Sequence, residues 1–514
     1  MRKIDETVEQ EIPPEVIRLS EERPRRRRGL WVSLSIVTVV AVISLFAFFG
    51  WTQLYSSKFE PNPPEIVAIE IPRGIGLAPT TLKMDLRDNG AGLDEVVVRA
   101  KQRGRSREIL RQSLGGKKAT RVAIDFPGDK SDLEEGSVEL EVKAFDRSFW
   151  NNGATRSISL KVDFRRPRLE VLTTQHNARR GGSQLILYRA IDEDLAISGV
   201  KVGDQSFNGF PARGLDKEFE DPSLFAALFA VDMREGEAKN GEAPPLQLFA
   251  EDSVGNSVSS TFYYRVQDRS PRQVVVKVGE EFLRRTVAGI IEQNLARLEA
   301  DARAGGKALL FSSQRGSGER LLEQFKLVNE RLRELDEQAI QKLLVGPRFE
   351  RQWDGPLSRP LGGAQLAFGD QANFEFEGKE IGSTLMSGYE IPAPKGGADV
   401  YAAADGVVTF SEGLGVYGRT LGVDHGLGLS TIYGSLDQAF VAKGDTVKRG
   451  QRIARAGTSG LARGPRLYFE VRVHGVPVAP EEWWEDRWFG DHLTSKINDA
   501  KRALGMVVLR PIGG

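Results

Sequence analysis

The sequence predicts a mainly β, multidomain chain. Its parts are one transmembrane helix, two β-sandwiches, a helical-hairpin connector and a C-terminal all-β domain. Three observations carry this. Leu30–Trp51 is a run of 22 residues without a charged side chain. A pattern of prolines and strand-like segments returns after 104 residues. Beyond Val400, short alternating segments are separated by glycine turns. At 514 residues the chain has room for several domains.

Taken in order, the first element is the uncharged run. As a helix it is about 33 Å long, enough for a hydrocarbon core of roughly 30 Å. Trp31, Trp51 and Tyr55 stand at its ends, where interfacial aromatics belong. Arg23 and Arg25–Arg28 form a basic N-terminal flank. The positive-inside rule then keeps a tail at 1–29 in the cytoplasm, anchors the chain in the inner membrane through 30–54, and exports the rest. A cleaved signal peptide is the rival reading, but the run is too long and no small-x-small cleavage pattern follows it. A buried core helix would keep a polar face.

The repeat follows. PPEIVAIEI, RPRLEVLTT and SPRQVVVKV carry Pro63, Pro167 and Pro271 at the 104-residue period. Asp88 corresponds to Asp192, and Asp146 to Asp252. Units of this size are duplicated domains, at 63–166 and 167–270, rather than solenoid repeats. Alternation at Val138–Val142, Ser157–Val162, Leu246–Ala250 and Thr261–Val266 predicts strands. About 100 residues of this pattern fit a seven-stranded sandwich. The D-x-x-G-N phrase at Asp252 resembles bacterial immunoglobulin-like domains. The four aspartates fit either calcium ligation or turn hydrogen bonding. Spacing or interaction is the expected role.

Residues 271–350 read as a helical connector. Phe325, Val328, Leu332, Leu335, Ala339 and Leu343 follow helical spacing. Gly305, Gly306, Gly316 and Gly318 free a loop between two arms, and Gly346-Pro347 ends the second. The apolar stripe points first to packing on a neighbouring domain, with a partner-binding or lid element as the alternative. The chain is expected to end in a C-terminal helical tail at 491–514.

Composition narrows the chemistry. Lys plus Arg equals Asp plus Glu at 71 each, which argues against nucleic acid as a partner. The absence of cysteine excludes disulfides and thiolate metal sites. The four histidines are His176, His425, His474 and His492.

The segments VYAAADGVVTF, VDHGLGLSTIYGSL, VKRGQRIARAGTSG and GPRLYFEVRVHGVPVAP resemble the LytM/lysostaphin-type peptidoglycan metalloendopeptidase domain. The resemblance implies a duplicated-hybrid-motif β-sandwich at 360–490 with a groove across one sheet. It also implies zinc, held by a His-x-x-x-Asp pair and by the second His of a His-x-His, with two assisting histidines. Here those places hold Met386, Glu390 and Tyr468 for the ligands, and Ser435 and Arg466 for the assistants. A thioether and a phenol are poor zinc donors, and Arg is no base. No metal or cofactor is therefore expected, and no catalytic residue. Arg419, Tyr433, Arg466, Tyr468 and Arg472 are expected on or beside the groove as binding candidates, with space-filling as the alternative for Arg466 and Tyr468. The expected function is an envelope-facing pseudopeptidase that binds peptidoglycan or regulates a cell-wall hydrolase. The alternatives are an active endopeptidase with non-standard ligands and a purely structural envelope protein.

Overall fold

The computed structural model describes residues 28–234, 244–306, 318–344, 346 and 348–508. The expected cytoplasmic tail with most of its basic flank, Gly316, Pro347 and the end of the C-terminal tail lie outside the described residues. The chain divides into two compact units. One comprises Met1–Pro72, Thr81–Asp125 and Ser137–Leu160; the other comprises Arg73–Thr80, Phe126–Gly136 and Lys161–Gly514.

In the first unit, helix α1 runs Arg28–Lys58 and contains the uncharged run. Its side chains are described continuously from Val37 to Thr52, and the large apolar ones there are exposed. Among the described residues no helix is long and apolar enough to cross a membrane. A crossing takes about 20 residues, and the expected anchor at 30–54 extends past the described side chains at both ends.

Seven strands follow α1 in two sheets. One has the order Glu65–Glu70, Thr80–Arg87, Ala119–Phe126; the other Arg105–Lys117, Leu93–Gln102, Gly136–Asp146, Gly153–Val162. Val138, Leu140, Val142 and Ala144 are buried in strict alternation, as are Leu82, Met84 and Leu86. The Asp146 carboxylate accepts the N–H groups of Ser148 and Asn152, and that of Asp88 accepts Gly92 N–H. Both are turn-forming aspartates.

The second unit opens with another β domain that departs from the expected seven strands. It has two four-stranded sheets and a parallel pair, Tyr264–Gln267 with His176–Arg179. The expected strand Thr261–Val266 is split: Ser257–Thr261 pairs with Leu246–Asp252, and the chain then changes sheet. Asp163, Asp192 and Asp252 converge here, with carboxylate oxygens within 4.8 Å of one another. Asp252 accepts the N–H groups of Val254, Gly255 and Asn256, Asp192 that of Asp194, and Lys161 pairs with Asp163. These bonds account for the aspartates as turn and ion-pair residues.

The connector begins with a strand, not a helix. Gln273–Lys277 lies parallel to Gln371–Phe376, which pairs antiparallel with Lys379–Leu385. Its sequence, QVVVK, is β-branched, and that outweighs proximity to the helical segment. A π-helical turn at Phe282–Val287 leads into helix α2, Ala288–Ala304. The second arm is continuous: α3 at Gly318–Lys326, a π-helical turn at Leu327–Leu332, and α4 at Arg333–Leu343.

The C-terminal domain is one curled nine-stranded sheet. Its main path is Tyr389–Pro392, Arg466–Val473, Leu429–Ala439, Gly418–Asp424, Gly406–Leu414, Thr446–Val447. One face joins the apolar core of the preceding β domain through Leu467, Phe469, Val471 and Val473. The other face packs against the helical arms through Phe410, Leu414, Ile432 and Tyr468. After the sheet, Lys496 and His492 of the terminal helical segment bond Gln175 O and the Gln184 side chain of that β domain.

One turn beside the helical arms depends on glycine. Gly418 has φ +66° and ψ −144°, a region essentially closed to L-residues. An added Cβ would lie 2.4 Å from backbone atoms of Ser459 and Gly460. Gly418→Ala is expected to cost about 3 kcal/mol, read as a lowered midpoint in urea denaturation.

Candidate functional site

The site is built on the cross-strand pairing of Tyr389–Pro392 with Arg466–Val473. Register sets Glu390 opposite Tyr468 and Pro392 opposite Arg466. Directly opposed residues have Cβ atoms about 5 Å apart, so Glu390 and Tyr468 meet on one face. Period-2 alternation puts Arg466, Tyr468, Glu470 and Arg472 on that same face. Yet all eight residues of Arg466–Val473 are buried. A strand with polar side chains on alternate positions is normally wet on one side. Here the helical arms cover that side.

The cover is both apolar and ionic. Phe325, Val328, Leu332 and Ile340 of the second arm form one buried cluster with Met386, Tyr417 and Tyr468. Asp336 of α4 is fully buried, accepts Val416 N–H at 2.7 Å and pairs with Arg297 of α2. Burial raises its pKa above the ordinary carboxylate range, against the pull of those partners. Glu337, next to it, accepts hydrogen bonds from Tyr417 Oη and from Arg472 at 2.8 Å. Arg472 Nε also donates to Glu470 at 2.6 Å, and Tyr468 Oη donates to Glu470.

Two carboxylates thus share one buried guanidinium. For Glu337, burial acts to raise the pKa, but Arg472 and Tyr417 outweigh it and the group lies below its ordinary value. Glu470 goes the other way: burial, only partly offset by Arg472, pushes it up to about 7. Burial and the Glu470 charge hold the Tyr468 phenol well above its usual range, so it stays neutral.

The sign of the pH effect follows. A carboxyl with a raised folded-state pKa stabilises below its unfolded value and loses that stability as pH rises through the folded one. For Glu470 the loss falls between its ordinary value of 4.5 and about 7. Relative to Glu470→Gln, the parent protein is expected to lose melting temperature between about pH 5 and pH 8. Parallel thermal melts across that window check it; a constant difference would contradict the assignment.

The remaining positions complete the site. Glu390 pairs with Arg466 and with Arg463, the latter at 3.1 Å. Burial draws the Arg466 guanidinium below its ordinary pKa, opposed by Glu390. Met386 is buried among apolar side chains, and its N–H bonds Asp370 O at 2.8 Å. Ser435 is buried with φ +56°. Three of the four histidines are hydrogen-bonded elsewhere, and the fourth is held by ring packing. His425 bonds Asp405 O and Thr431, His176 bonds Thr173, His492 bonds Gln184, and His474 stacks on Phe210.

Could zinc be held at Met386, Glu390 and Tyr468? Catalytic zinc takes three protein donors of N, S⁻ or O⁻ type. Here one is a thioether in an apolar cluster, one a carboxylate already paired with two guanidinium groups, and one a neutral phenol donating to Glu470. These residues do not fit the ion.

The expected groove residues separate in the structure. Tyr433, Arg466, Tyr468 and Arg472 are buried, so they do not form an open binding surface; Arg419 alone is exposed. For Tyr468 and Arg472 the reason is the helical cover; Arg466 is paired with Glu390, and Tyr433 lies on the opposite face, where its hydroxyl bonds Ala403 N–H. Arg419 lines an open cleft of about 680 Å³ with Asn294 of α2, Glu412, Asp437 and Thr458. Sequence reasoning missed Glu337, Asp336 and Glu470. Asp336 was legible as a polar residue beside the predicted buried stripe and Glu470 on an alternate strand position; Glu337 falls on the face opposite that stripe and carried no local signal.

Comparison with known proteins decides the domain type. Residues 384–480 match the sequence model of Peptidase family M23. The C-terminal domain is thus an M23 domain of the LytM type. The chain is similar to the murein hydrolase activator EnvC of Escherichia coli (36% identity over 141 residues, 27% of this chain and 30% of that protein). It is also similar to the DD-carboxypeptidase/endopeptidase Mpg of Neisseria meningitidis (38% over 96 residues, 19% and 22%). A third relative is the peptidoglycan DD-endopeptidase ShyB of Vibrio cholerae (44% over 82 residues, 16% and 19%). The chain spans under a third of the length of these curated relatives. A solved putative peptidase M23 from Pseudomonas aeruginosa aligns over 59% of this chain and 92% of its own, at 18% identity and a TM-score of 0.28. The M23 relatives therefore include both an activator and peptidases.

Proposed function

We propose that the protein is a membrane-anchored, envelope-facing pseudopeptidase. In this reading the M23 domain binds peptidoglycan or regulates a cell-wall hydrolase instead of cutting. The observation that carries it is the state of the three ligand positions: Glu390 is paired with Arg463 and Arg466, Tyr468 donates to Glu470, and Met386 is sealed in an apolar cluster. The helical arms support the same reading, because they pack against Met386, Tyr468 and Arg472 on that face. Similarity to a protein named as a murein hydrolase activator supports the regulatory form.

The anchor is the uncharged part of α1, with residues 1–29 cytoplasmic and the β domains, helical arms and M23 domain outside. Immunoglobulin-like character of the β domains belongs to this proposal and rests on their sandwich layout and turn phrases. The surface left for a partner is the cleft at Arg419, whose carboxylate, amide and hydroxyl lining suits a glycan-peptide or a polar protein loop.

The test is sedimentation with purified peptidoglycan and capture of a purified cell-wall hydrolase, each with Arg419→Glu as control. Binding in either arm, weakened at least several-fold by the charge reversal, is expected. Absence of binding in both arms would overturn the reading.

A further inference from the structure

We infer that the first β domain rests on the membrane surface through an aromatic ledge at Phe149–Trp150; this rests on the proposed anchoring by α1. The ledge is a short segment between the strands Gly136–Asp146 and Gly153–Val162. Phe149 is 70% and Trp150 61% exposed. Large aromatics left in water at a loop tip cost free energy, and such patches mark interaction sites.

Position makes the bilayer the occupant. The N–H of Phe149 bonds the carbonyl of Lys58, the last residue of α1, at 2.6 Å. The Phe149 ring lies 5.1 Å from that of Phe59, and Trp150 meets Phe149 edge-on at 5.4 Å. Asn152 Nδ2 bonds the carbonyl of Glu60 at 2.8 Å, and Ala91 N–H bonds the Glu60 carboxylate at 2.6 Å. The segment leaving the helix is thus fixed to this loop at several points, and the ledge is continuous with the helix end.

Lys58 is seven residues beyond Trp51, about 10 Å along a helix. With Trp51 at the edge of the hydrocarbon, Lys58 and the ledge reach the polar headgroup zone. Phe and Trp side chains are suited to that zone, apolar in body with a polar N–H on Trp. The opposite end of the same sheet has no such feature: the turn Gln102–Arg105 and Ser106 are polar, and the strand Leu93–Gln102 sets them about 30 Å away.

The absence of cysteine allows a direct test. Single cysteines are placed in the full chain at Val42, Arg147 and Ser106, labelled with a fluorophore and reconstituted in bilayer discs. Quenching is read with nitroxides on the lipid acyl chain or headgroup. The label at 42 is expected to be quenched by the acyl nitroxide, the label at 147 by the headgroup nitroxide, and the label at 106 by neither. Adding Phe149→Ser and Trp150→Ser is expected to reduce quenching at 147 by at least half. Quenching at 42 with none at 147, or no response to the double substitution, overturns the ledge and leaves the anchor standing. No quenching at 42 overturns the anchor, and the ledge with it.

Discussion

Replacing Arg472 by Met is expected to destabilise the M23 domain by about 3–5 kcal/mol, because the change strands the buried Glu470 carboxylate and the half-buried Glu337. Arg472 is fully buried and is the guanidinium shared by Glu337 of the helical arm and Glu470 of the strand. Removing one partner of a buried ion pair costs far more than the pair contributes, since the other charge stays desolvated. Urea denaturation near pH 7.5 reads the loss. Combining Arg472→Met with Glu337→Gln and Glu470→Gln is expected to recover a large part of it, because a neutral amide is cheaper to bury than a carboxylate. A loss below about 1 kcal/mol for Arg472→Met would show that water reaches this network, contrary to a sealed face.

Phe325→Ala is the second large effect, expected at about 3–5 kcal/mol by cavity formation. Phe325 is fully buried and meets Phe374 edge-on at 5.1 Å. This change leaves the ionic network untouched, so it tests whether apolar packing also holds the arm down. Faster proteolysis within residues 318–343 is expected alongside the lowered urea midpoint. An unchanged cleavage rate at the lower midpoint would mean that the arm stays seated without Phe325.

Much of this architecture could be read from the chain because alternation and helical spacing are strong where one face is buried and the other wet. The stripe Phe325, Val328, Leu332 is such a case, and all three are buried. The reading failed where polar residues take buried positions. Asn329 and Asp336 lie on that same stripe, and the search for apolar spacing passed over them. Asp336 is tolerated there because Val416 N–H and Arg297 meet it, contacts some 80 and 39 residues away that no local pattern contains.

The strand Arg466–Val473 shows the same limit from the other side. The family resemblance puts Arg466, Tyr468 and Arg472 on or beside a groove, with space-filling as the alternative for Arg466 and Tyr468, and all three are buried. Tyr468 and Arg472 are covered by the helical arms, and sequence periodicity cannot tell which face of which sheet an amphipathic helix will cover. The substitutions at positions 386, 390 and 468 were legible at once. What the structure added is where each side chain's hydrogen bonds and charges are spent.

Bound metal and peptidoglycan cleavage, read on one sample, decide whether this M23 domain works as a zinc peptidase. The purified protein is incubated with excess zinc, desalted and analysed for bound metal, and the same sample is assayed for release of soluble fragments from peptidoglycan. Zinc well below one per chain and no fragment release above buffer are expected. One zinc per chain, with fragment release abolished by Glu390→Ala, would contradict it.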